Sequence, residues 1–95
     1  MAKGRQEDAQ ELAIRALGWI ASDDEIFASF LGATGADLAG IRQRAHDPAF
    51  LAAVLDFLLM QDEWVLGFCQ DTQTPPDQPM QARAILGGGD MRHWT

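Results

Sequence analysis

The sequence predicts an all-α domain, a compact orthogonal bundle of five to six short helices. Three observations carry this reading. No segment alternates apolar and polar residues with period two. Residues branched at Cβ are few. Apolar residues instead recur at three- and four-residue spacing, between residues that start and stop helices. The chain has 95 residues, 47% hydrophobic and 22% charged, which allows one small domain and excludes wholesale disorder.

Taken in order, residues 1–8 are polar and are expected to form a flexible N-terminus. A first helix is expected over Asp8–Ala21. Ala9, Leu12, Ala13, Ala16, Leu17 and Ile20 share one face, with Trp19 at its edge and Ile14 pointing away. Ser22-Asp23-Asp24-Glu25 reads as a capping box with Ser22 as the cap. The second helix then runs to about Ala33, with Ile26, Phe27, Phe30, Leu31 and Thr34 inward, and Gly35 suits a left-handed helix end. A short third helix near Asp37–Ala45 should bury Leu38 and Ile41.

Asp47-Pro48 is a cap followed by a proline at the first helical position, where a missing amide costs nothing. The helix it starts, Pro48 to about Met60, is apolar nearly all round and so belongs at the centre of the bundle. Ala49, Ala52, Ala53 and Asp56 form its small-residue side. Asp62 is the expected cap of a fifth helix, Glu63 to Thr72, burying Trp64, Val65, Phe68 and Cys69. A last helix is expected over Pro79–Leu86, with Gln78 held out of it by the proline that follows. The single helical domain is therefore 9–86, and Gly87-Gly88-Gly89 opens a flexible tail, 87–95.

The formal charge is −7, and residues 46–71 hold five acids and no base. Only Arg42 and Arg44 lie close together within one helix, which disfavours nucleic acid and anionic membrane as partners. A helix-turn-helix over Ala36–Phe57 fails on the same chemistry, because its second helix is apolar and nearly uncharged. No secretory signal opens the sequence. The most apolar stretch, Ala49–Met60, is short and carries Asp56, so a soluble cytoplasmic protein is expected.

Candidate chemistry is sparse. Cys69, as a nucleophile with His46 or His93 as base, would need an exposed thiol, and its pattern position is apolar. His46 and His93 lack the ligand number and spacing of a zinc site. Asp23, Asp24 and Glu25 do not share a helix face and suit a helix start. The glycine run is not followed by the lysine and helix of a phosphate loop. The expectation is no catalytic residue, no metal and no cofactor.

The residues nevertheless form ordered blocks: Ala16-Leu17-Gly18-Trp19-Ile20-Ala21, then Phe30-Leu31-Gly32-Ala33-Thr34-Gly35, then Asp47 through Leu58, Glu63 and Phe68. Over Glu11–Leu86 the chain resembles a family of small bacterial all-helical proteins of unknown function. Pro75-Pro76 fits its pattern and Pro79 departs from it. The resemblance implies a compact helical domain in the bacterial cytoplasm and brings no catalytic residue. It hints at a signalling partner, through association with response-regulator genes and not through mechanism.

The leading functional expectation is a non-enzymatic, acidic protein-interaction module, binding a partner or a second copy. Its candidate surface is Ile14, Ala49, Ala52, Ala53, Asp56, Leu66 and the tail residue Trp94. The acid excess centred on Asp56 and Asp71 would favour a basic partner. The alternative is a small-molecule binder with a pocket between helices.

Overall fold

A computed structural model describes residues 4–86, which form an all-α bundle of six helices. They are α1 (Arg5–Ala21), α2 (Asp24–Thr34), α3 (Leu38–Arg44), α4 (Pro48–Leu59), α5 (Asp62–Thr72) and α6 (Gln78–Leu86). Helix α1 starts earlier than the sequence suggested, since Arg5–Asp8 are already helical. Glu7 supports that start by accepting the Gly4 N–H at Oε1, 3.3 Å away. The expected tail 87–95, with Trp94 and His93, lies outside the described residues.

Long helices α1 and α4 pack on each other and on α6, and this triad holds the core. Alpha4 buries Phe50, Leu51, Ala52, Val54, Leu55, Phe57 and Leu58, as its apolar circumference requires. Each fully buried Leu or Phe is worth about 2 kcal/mol relative to exposure. Alpha1 presents the expected stripe of Ala9, Leu12, Ala13, Ala16 and Ile20. Its small alanines let the helices approach closely. Alpha2 joins through Phe30, whose ring meets Phe50 and Phe57 edge-on at centroid distances of 6.2 and 5.3 Å. Phe57 in turn stacks on Trp64 at 4.7 Å.

The remaining flank is held by fewer anchors. Alpha3 buries Ile41 alone, and Leu38, expected inside, is 56% exposed. The helix is barely two turns long, and Leu38 stands at its first residue. Ile26, Phe27 and Leu31 of α2 are half-buried. Trp19 reaches across to α5, edge-on to Phe68, and donates its indole N–H to Asp71 at 2.8 Å. Gly67 makes room for it, since a Cβ there would lie 3.0 Å from Trp19 Cζ2.

Helix ends correct several expectations. Ser22 is not the cap of α2. Its backbone is still helical as α1 ends, and its hydroxyl donates to the Trp19 carbonyl at 2.7 Å. The extended residue is Asp23, whose carboxylate accepts the amides of Glu25 and Ile26 at 3.0 Å. Asp62 is likewise inside α5, and Gln61 precedes it with no side-chain cap. Gln78 is helical despite Pro79. The turn before it has already set the helical sense (the Gln78 N–H donates to the Pro75 carbonyl), and Pro79 occupies the first turn, where an amide is not needed. Gly35 closes α2 at φ +69°, as expected, whereas α5 closes on Gln73 at φ +56°.

Candidate functional site

A three-residue turn between α3 and α4 builds the most coherent site. The Asp47 N–H donates to the Arg44 carbonyl at 2.9 Å, and the Asp47 carboxylate accepts the Ala49 amide at 3.0 Å. This tight reversal sets the Arg44 guanidinium over the Phe50 ring, 4.9 Å from its centroid. Ala49 and Ala53, one turn apart on α4, form the floor beside Phe50. Ala33 and Thr34, at the end of α2, close the other side. The Thr34 hydroxyl donates to the Phe30 carbonyl at 2.8 Å and accepts the Ala36 amide, so it is committed to the helix end. The result is an open hollow of about 340 Å³ with an apolar floor and one cation, Arg44, and one anion, Asp47, among its lining residues.

The candidate residues read from the sequence do not form a single patch. Ala49 and Ala53 line the hollow, while Ala52 is buried in the core and unavailable. Ile14 and Leu66 are exposed, on separate helices, α1 and α5. Trp94 lies outside the described residues. Asp56 is engaged within the fold. Arg83 of α6 donates to it twice, Nε to Oδ1 at 2.5 Å and Nη2 to Oδ2 at 3.1 Å. Asp71 holds the Trp19 indole. The two carboxylates that favoured a basic partner therefore fasten helices to one another.

Arg44 and Phe50 carry the hollow and were not singled out in the sequence as site residues. A signal was present in their spacing, since the seven residues Arg44–Phe50, with a helix stop, a cap and a proline start, imply a tight reversal. A second concavity, a groove of about 380 Å³, runs between α1 and α6. Its rim carries Arg5, Asp8, Glu11, Arg15, Gln78 and Gln81 over a floor of Leu12, Ala82 and Ile85.

The thiol of Cys69 is buried beside the Pro75 carbonyl, 3.7 Å from its oxygen. Burial pushes its pKa up, with a smaller push from Asp77, so the thiol stays protonated at neutral pH and is a poor nucleophile. His46 is exposed in the turn after α3. Among the described residues no group of three His, Cys, Asp or Glu is placed to hold a metal ion. No described helix is long and apolar enough to cross a membrane.

The model of one protein family matches residues 6–89, nearly the whole described chain and more. The chain belongs to the DUF3572 family. That family is described as proteins of unknown function, so membership agrees with the resemblance read from the helical blocks and assigns no activity. No curated protein and no solved structure matches the chain.

Proposed function

We propose that this DUF3572 chain is a non-enzymatic cytoplasmic interaction module that binds another protein, or a second copy, through the α2–α3–α4 face. The observation that supports this best is the hollow floored by Ala49 and Ala53. Small side chains there leave a concavity for a partner's apolar side chain, and an arginine and an aromatic ring, types enriched at interfaces, stand at its edge. Half-buried Ile26, Phe27 and Leu31 on α2 extend the apolar character of this flank.

The test is affinity capture from the native host at low and high salt, comparing the wild type with Ala53→Trp, which fills the hollow. The reading expects a specific partner with the wild type and its loss with the variant at unchanged helicity. Equal capture by both proteins overturns it. Light scattering over a concentration series separates a foreign partner from a second copy.

The α1–α6 groove favours a second reading, a small-molecule binder. Its volume of about 380 Å³ is within the usual range for ligand sites, and polar groups ring an apolar floor. A metabolite that raised the melting temperature of the wild type but not of Ala82→Glu would support that reading over the first.

A further inference from the structure

We infer that α5 is a releasable strap, which detaches from the α1–α4–α6 triad as a unit while the triad stays folded, and that the Trp19–Asp71 hydrogen bond is its latch. Local structure gives α5 little support. Alpha2, α3 and α4 each start on an aspartate that accepts a backbone amide, whereas Gln61 at the start of α5 makes no side-chain cap. Gly67 stands in the middle of the helix, where glycine weakens it. Asp71 lies in the last turn, which holds no base to offset the negative helix end. The helix closes on Gln73 at φ +56°, a left-handed conformation that a side chain resists. Alpha3, the other lightly buried helix, has both an aspartate cap and bases in its last turn. Eleven residues with such ends do not sustain a helix alone, so α5 is kept in place by its tertiary contacts.

Those contacts are few. Alpha5 buries Phe68 and Cys69, against seven side chains in α4. Half-buried Trp64 stacks on Phe57. Trp19 crosses Gly67, meets Phe68 edge-on and donates its indole N–H to Asp71. That hydrogen bond is exposed, so water can take its place when the strap lifts. The triad does not need α5 to stay assembled. Alpha4 and α6, which flank the strap in sequence, pack on each other and on α1 directly, and Arg83 clasps Asp56 between them. Release therefore turns Met60–Asp77 into a loop whose two ends stay in place. It uncovers Phe57 and Trp19, and Phe57 leads through its edge contact to Phe30 of α2. Such an opening costs less than global unfolding because the core between α1, α4 and α6 survives it.

The experiment is native-state amide hydrogen exchange of the full chain over a series of sub-denaturing guanidinium concentrations. It is read at Phe68 and Cys69 in α5 and at Ala16 and Leu55 in the triad. The α5 amides should exchange through an opening of lower free energy than the triad amides, with a smaller but measurable denaturant slope. Slow labelling of Cys69 by a thiol reagent in the folded protein should report the same opening. Ala82→Gly in α6 should speed exchange of the triad amides about fivefold and leave the α5 amides unchanged, since α6 stays folded when the strap lifts. Trp19→Phe, which keeps an aromatic ring and removes the donor, should speed α5 exchange about fivefold. The inference is overturned if the α5 amides share the free energy and slope of the triad, if their exchange has no denaturant slope, as in fraying, or if Ala82→Gly speeds them as much as it does the triad. Unchanged α5 exchange in Trp19→Phe would overturn the latch.

Discussion

Alpha4 and α2 are both rich in Phe and Leu, yet α4 buries seven side chains and α2 buries one, Phe30. The difference lies in their neighbours. Alpha4 has α1 and α6 against it, with α2 and α5 on its remaining sides, so almost every direction meets protein. Alpha2 touches α1 and α4 along one side, and α3 beyond it contributes little more than Ile41 to the core. The α1–α4–α6 triad is therefore the stabilising unit, and the α2–α3 flank, with half-buried apolar side chains and the hollow, is the part with surface left to offer.

The largest test of this contrast is a pair of truncations. Leu55→Ala, in the middle of α4, should cost about 4 kcal/mol, close to the whole stability of a small domain. Ile41→Ala should cost about 2 kcal/mol, because α3 can settle into the space. Denaturant titration of both proteins measures the gap. Equal losses would mean that the flank is as integral as the triad.

Helix ends sharpen the same comparison at about 1 kcal/mol. Asp23→Ala should lower stability by about 1 kcal/mol and Ser22→Ala by less than about half of that, because Asp23 holds two amides and Ser22 none. The reverse order in thermal melts would restore the capping box read from the sequence. Gln73→Gly should raise stability by about 1 kcal/mol, relieving a left-handed conformation that a side chain resists.

Smaller still is the clasp between α4 and α6. Asp56 is 57% exposed and Arg83 24%, so Asp56→Ala should cost under about 1 kcal/mol, and less at high salt. The smallest effect is a pH dependence. Burial raises the Cys69 pKa in the folded state, so the folded thiol keeps its proton where the unfolded thiol has lost it. Its contribution is fully present below the ordinary thiol range and is lost as pH rises through the folded value. Melting curves should show an alkaline decline that is shallower in Cys69→Ala, and thiol reagents should label the wild type rapidly only after denaturation.

Much of the fold was legible in the sequence because periodicity and punctuation are local properties. The stripe of α1, the all-apolar α4, the Asp47-Pro48 start and the Gly35 stop all follow from spacing within a few residues. Leu38 failed because a short helix has too little periodicity to tell inside from outside. Ser22 failed because two helices compete for the same residues, and α1 extends far enough to claim it. Of the site, Ala49 and Ala53 were legible as the small side of a helix, whereas their meeting with Ala33, Thr34 and Arg44 was not.

By itself, then, the sequence determined that this chain is helical, where most of its helices begin and which of them is central, since each of these depends on a residue and its neighbours within one or two turns. Only the tertiary structure decided what the charges do. Asp56 meets Arg83 27 positions away, and Asp71 meets Trp19 52 positions away, distances over which no local pattern reports. An acidity that looked like a partner's landing ground is in those places an internal fastening. The sign of a surface is set by which charges the fold leaves unpaired, and pairing across the chain is a property of packing.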